Sequence, residues 1–159
     1  MASTSKYNKK FEEQIAYFIN KANKNMEEVR ALAVFQLFSN IVDDTPLWIA
    51  GSKIRGQVKW NWRISIGTYP SNALKGVDPS GKQTKDRGYA QLKKFTGSED
   101  IYISNSHPAI MLLEFGGYEP TESDRVTGGF SKQAPAGIAR VNAQMWTQNV
   151  TNSAKIVNR

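Results

Sequence analysis

Between residues 8 and 42 the chain carries an apolar stripe that no proline or glycine interrupts. Phe11, Ile15, Phe18, Ala22, Met26, Val29, Ala33, Leu37 and Ile41 recur at steps of three or four, which puts them on one face of a helix. Lys9, Glu13, Lys24, Glu27, Glu28 and Asn40 take the opposite face. At ~1.5 Å per residue such a helix reaches about 50 Å, longer than most helices in a compact monomer of 159 residues. It must overhang the body it packs on or meet neighbouring subunits. Asp43-Asp44-Thr45-Pro46 ends it, because a residue before proline is driven out of the α region.

The clearest strand signal follows at residues 57–66. Val58, Trp60, Trp62, Ile64 and Ile66 alternate with Gln57, Lys59, Asn61, Arg63 and Ser65. The period predicts a strand with one face on the core and one toward water or a polar partner. Trp60 and Trp62 are expected to lie together on the core face. Residues 67–88 hold four glycines, two prolines and few apolar groups, and a loop that long is uncommon unless it has a function. A short helix is expected around Tyr89, Leu92 and Phe95, a strand at 100–104, and a helix at 109–115 stopped by Gly116-Gly117. Residues 118–134 read as a second irregular stretch. Pro135 opens a C-terminal helix in which Ile138, Val141, Met145 and Trp146 share a face, with a frayed end from Thr151. The expected fold is α+β: a long N-terminal helix and a C-terminal helix packed on a small, mainly antiparallel β-sheet, with long Gly-rich loops. One domain spans 1–159, with flexible ends at 1–7 and 152–159.

Charge is unevenly placed. The formal net charge is +7, yet residues 51–95 alone hold ten basic and two acidic residues. A single-sign segment points to a polyanion or an acidic protein partner. The absence of cysteine excludes disulfide frameworks, thiolate metal sites and cysteine nucleophiles. A single histidine, His107, leaves little for a multi-imidazole metal site. No apolar run approaches the ~20 residues of a membrane span, and the polar first residues lack a signal-peptide core, so a soluble protein made in a cytoplasm is expected.

The motifs that suggest chemistry are incomplete. The segment from Gly76 to Gln83 falls one hydroxyl short of a phosphate-binding loop, with Gln83 where Ser or Thr is required. His107, next to Ser106 and Pro108, reads as a turn or capping residue. Asp43 and Asp44 read as a helix-ending turn rather than a metal pair. Glu114, flanked by apolar residues, should pair with a basic residue or with backbone amides, since a buried lone carboxylate is costly. Asn149-Val150-Thr151 matches a glycosylation acceptor, which has no use without a secretory route. Trp60 and Trp62 interleave with Lys59 and Arg63, but on opposite faces of the expected strand, whereas a single-strand stacking platform needs them together. No catalytic residue, cofactor or metal is expected.

Four segments in order resemble one family. Asp43-Asp44-Thr45-Pro46 with the glycine-bearing basic loop and residues 56–67 is similar to the "T-P-x-D-T-G-x-x-x-x-x-W-x-x-S-x-G" stretch of tailed-bacteriophage neck proteins, the head–tail connector and tail completion group. Residues 101–109, Ile-Tyr-Ile-Ser-Asn-Ser-His-Pro-Ala, resemble that family's "I-Y-I-x-N-x-x-P-Y-A". Leu113-Glu-Phe-Gly resembles its "L-E-x-G", and Lys132-Gln-Ala-Pro-Ala-Gly137 its "K-Q-A-P-x-G". The resemblance implies a structural, non-enzymatic virion protein that forms a six- or twelve-fold homo-oligomeric ring, joins the tail to the DNA-filled head and lines the DNA passage. Its partners would be the adjacent portal-side and tail-side proteins. On this reading Tyr69, Leu74, Lys75, Val77, Lys82, Lys85 and Arg87 face a neighbouring subunit or ring, and Lys53 and Arg55 face DNA in the lumen without base readout. The rivals are a non-specific nucleic-acid-binding protein using residues 51–95, and a small enzyme whose site the sequence does not display.

Overall fold

The computed structural model describes residues 3–47, 55–119 and 125–159, with side chains from Lys9 onward. The fold is α+β. Helix α1, Ser3–Asp44, is 42 residues long, about 63 Å at 1.5 Å per residue. Its last turns carry the core, where Ala33, Val34, Phe38, Ile41 and Val42 are buried. Thr45 closes it: its hydroxyl donates to Ile41 O at 2.6 Å and accepts the Trp62 indole N–H at 2.7 Å.

The expected strand at 57–66 is only half a strand. Residues Gln57–Asn61 form a short helix, α2, and β1 is Trp62–Ile66. Trp60 N–H bonds Gly56 O, and the Asn61 amide bonds Gln57 O, so the helical turn satisfies its own carbonyls. Alternation therefore breaks at residue 61. Trp62 is 4% exposed and in the core cluster, whereas Trp60 sits on α2 and is half-buried.

Strand β2, Ile101–Asn105, pairs antiparallel with β1, from Trp62 opposite Asn105 to Ile66 opposite Ile101. Between them lies α3, Lys82–Leu92, which starts inside the 67–88 stretch expected to be loop and ends in the short helix expected around Tyr89 and Leu92. It packs on both α1 and β1 through Thr84, Gly88 and Leu92, a ridge at four-residue spacing. A Cβ on Gly88 would stand 2.4 Å from a ring carbon of Phe38. Gly88→Val is expected to lower stability by about 2–3 kcal/mol through overpacking, read as a lower urea midpoint; an unchanged midpoint would show that α3 does not seat on Phe38.

After α4, Ile110–Phe115, a hairpin of β3, Val126–Thr127, and β4, Phe130–Ser131, forms a separate two-stranded sheet. Gly128 and Gly129, at φ 57° and 79°, supply the two left-handed residues of a tight hairpin turn. The expected single C-terminal helix is two, α5, Ala139–Ala143, and α6, Trp146–Val157. Of its expected apolar face only Ile138 is buried; Val141, Met145 and Trp146 are exposed. The end expected to fray is helical through Val157, with Ser153 fully buried. Helix α6 packs along α1 rather than on the sheet.

Candidate assembly surfaces and the basic region

Much of the basic segment is used inside the fold. Lys59 is 7% exposed and donates to Asp43 O at 3.1 Å; burial holds its ammonium below the usual lysine range. Arg63, on the β1 face expected to meet water, is 9% exposed. Its guanidinium donates to Pro70 O, Asn72 O and Ser106 Oγ. The polar partner of that face is thus the chain's own loop. Asn61 grips the same loop from below, accepting Leu74 N–H at 2.8 Å and donating to Leu74 O at 3.1 Å. The Trp60 indole donates to Lys75 O at 3.1 Å. Residues 70–75 form a strap whose length covers β1, so the loop has an internal reason to be long.

Of the residues assigned to a neighbour, Arg87 turns inward. It donates to Trp60 O at 2.6 Å and Trp62 O at 3.1 Å and stacks on the Trp60 ring at 4.1 Å. Burial lowers its guanidinium's proton affinity. Lys85 pairs with Asp43 at 2.8 Å, and Lys82 with Asp86 at 2.6 Å. Leu74, in the strap itself, is half-buried, while Tyr69, Lys75 and Val77 are exposed and available to a partner. Tyr69 meets the Tyr102 ring edge-on at 5.9 Å. Arg55 is exposed; Lys53 lies outside the described residues.

The near-miss phosphate loop is filled from within. Asp78, 1% exposed, accepts Gly81 N–H and the Ser80 hydroxyl on one oxygen and Thr84 N–H on the other. Burial raises its carboxyl, but those bonds outweigh it and hold it below the ordinary range. The anion at the N-terminus of α3 is the chain's own side chain. His107 Nδ1 accepts Ala109 N–H at 3.1 Å, the turn role expected of it, and burial lowers its pKa. Asp43 and Asp44 diverge, Asp44 accepting the Asn142 amide at 2.8 Å. Asn149 is buried. Among the described residues no three acidic or imidazole groups converge as metal ligands, and no helix is long and apolar enough to cross a membrane.

What the sequence reading did not single out is how bare the start of α1 is. Every side chain from Lys9 to Lys21 is exposed. Phe11, Ile15, Phe18, Ile19 and Met26 lie open on one face, with none of the described residues covering them. Helix α6 ends beside Asn25, where Asn25 donates to Asn158 at 3.1 Å. From there an open groove of about 730 Å³ runs between α1 and α6, lined by Phe18, Ala22, Met26, Trp146, Val150 and Ala154. The signal was in the sequence: the stripe is longer than the rest of the chain can cover. Comparison with family models, with curated proteins and with solved structures gave no match to this chain.

Proposed function

We propose that this chain is a structural ring subunit of the neck of a tailed bacteriophage, joining the tail to the DNA-filled head and lining the DNA passage. The bare apolar half of α1 carries the reading. A monomer rarely leaves such a run of large apolar groups in water, and open patches of this kind mark protein–protein contact. The four ordered segments that resemble neck proteins supply the kind of assembly. In this reading α1 and the exposed groups Tyr69, Lys75 and Val77 meet neighbouring subunits and layers. Arg55 and Lys53 remain the candidates for DNA phosphates.

The nucleic-acid-binding alternative draws less support than its charge count suggested. Lys59, Lys82, Lys85, Arg63 and Arg87 already have partners within the chain. A dedicated binder would lose affinity steeply with salt.

The direct test is cryo-electron microscopy of the intact particle that contains the chain. Closed six- or twelve-fold density at the head–tail junction, fitted by α1 and the β1–β2 pair, is the expected result. A strictly monomeric chain inside the particle would overturn the ring. Reversing Lys75, Lys82 and Lys85 together should block joining of tails to heads. Melting must be followed alongside, because Lys85 also ties Asp43. Particles that form with normal yield and retained DNA would remove the docking role of this loop.

A further inference from the structure

Strand β2 has one edge paired and one edge bare. Gly67 N–H donates to Asp100 O at 2.8 Å, one step past the Ile66–Ile101 pair. Gly67 and Asp100 are therefore a hydrogen-bonded pair. Such pairs alternate along an antiparallel ladder, so Ser65 with Tyr102 and Arg63 with Ser104 also exchange bonds. The main-chain groups of Ile101, Ile103 and Asn105 then point away from β1. On the far side of β1 the same phase turns Trp62, Ile64 and Ile66 outward, and there Arg87 meets Trp62 O at 3.1 Å.

The two outer edges differ. Helix α3 packs along β1, and Arg87 caps it. The sheet ends at β2. Among the described residues nothing bonds the outward N–H or C=O of Ile101, Ile103 or Asn105. Edges left open are normally blunted by lysine, proline or a bulge. Ile101 to Asn105, Ile-Tyr-Ile-Ser-Asn, has no charge and no proline, and it pairs with β1 residue for residue.

A row of free donors and acceptors at strand spacing is met by another strand. Within the chain none fits: β1 is closed by α3, and β3 and β4 have two residues each. The strand of matching length and phase is β2 itself, reversed. With Ile103 opposite Ile103, Ile101 falls opposite Asn105 and Tyr102 opposite Ser104. The outward residues of one copy then face the outward residues of the other, so each free N–H finds a free carbonyl. No like charges meet, since Asp100 falls opposite Ser106. The contact complements itself, as a two-fold pair requires. Ile101 and Ile103, half-buried against the core, gain apolar neighbours on the same face of the joined sheet.

We propose that the outer edge of β2 is a strand-pairing surface on which a second copy of this chain docks antiparallel, Ile103 against Ile103, to make one continuous sheet β1–β2–β2–β1. The pair forms in the free chain and does not rest on the ring reading, which is decided on the particle.

Amide exchange of the full chain, resolved to single residues, reads this directly. At about 100 µM the Ile101, Ile103 and Asn105 amides should exchange slowly. After dilution of about a hundredfold they should exchange as open amides, while Tyr102 and Ser104, bonded to β1, stay protected throughout. Light scattering of the concentrated sample should give twice 17.8 kDa. Ile103→Pro removes an outward N–H and no bond to β1, the kind of position where an edge strand accepts proline. It should weaken the pair about thirtyfold, through the two bonds lost at the axis. A wild-type monomer in the concentrated sample, or a dimer with those three amides exchanging freely, would overturn the proposal. So would protection that persists on dilution, which would mean that the edge is covered from within the chain. Protection appearing only when another protein is added would also overturn it and give the edge to that partner. Because exchange is read on the wild type, these outcomes hold even where Ile103→Pro fails to fold.

Discussion

Replacing Trp62 by alanine is expected to lower the unfolding free energy by about 3–5 kcal/mol, the range for deleting a large buried aromatic group. Trp62 lies in the core cluster with Phe38, Val42 and Val58. Its indole N–H is bound to the Thr45 hydroxyl, which in turn donates to Ile41 O at the end of α1. The substitution thus opens a cavity and loosens the helix terminus at once. Trp60→Ala should cost only about 1–2 kcal/mol, one neutral hydrogen bond and one cation–π contact, because its ring is half-buried outside the core. Urea midpoints with unchanged slopes measure both. Equal losses at the two positions would contradict the division between helix α2 and strand β1.

Glu114→Gln is expected to cost about 2–4 kcal/mol, since a largely buried acceptor of several N–H groups loses half its capacity. One carboxylate oxygen accepts Ile138 and Ala139 N–H at 2.8 and 2.9 Å. The other accepts Arg140 N–H at 2.8 Å and its Nε at 3.3 Å. Glutamine keeps the shape but turns an NH₂ toward donors. Burial raises this carboxyl, yet the N–H bonds outweigh it, and its folded pKa lies below the unfolded one. The sign follows: its stabilisation is complete above the unfolded pKa, about 4.3, and disappears as pH falls through the folded value. The gap between wild type and Glu114→Gln should therefore be full at pH 7 and shrink in acid. A gap independent of pH would mean that the carboxylate is not the group that holds α5.

Helix α1 was legible because nine apolar residues keep one period without a break, and no tertiary contact had to decide it. Glu114 was legible from its apolar flanks, which leave a carboxylate no solvent. Only the end of helix α3 was, from Tyr89 and Leu92; its first turns were not, because they face the core with the small residues Thr84 and Gly88, and the apolar partner, Phe38, sits 50 residues before Gly88 in α1. The break between α2 and β1 depends on Asn61 reaching Gln57 O and the strap, a long-range choice that alternation cannot carry. The basic segment misled for the same reason. A list of lysines and arginines does not say which will find carbonyls, and Arg63 and Arg87 found them in Pro70, Asn72, Trp60 and Trp62. The open arm of α1 was visible as excess length.

The strap over β1 is held almost entirely by main-chain atoms. Arg63 takes the carbonyls of Pro70 and Asn72, Asn61 takes both polar groups of Leu74, and Trp60 takes the carbonyl of Lys75. Only the gripping side chains below are tied to identity. Above, Tyr69, Ser71, Ala73, Lys75 and Val77 point outward and can be exchanged with little penalty to the fold. Mutational drift is thereby split between two levels: the anchors Trp60, Asn61 and Arg63 should resist change, while the outer side chains can be rewritten whenever the molecule across from them changes. A library randomised at the outer five positions should remain folded at a high rate, whereas one randomised at the three anchors should not.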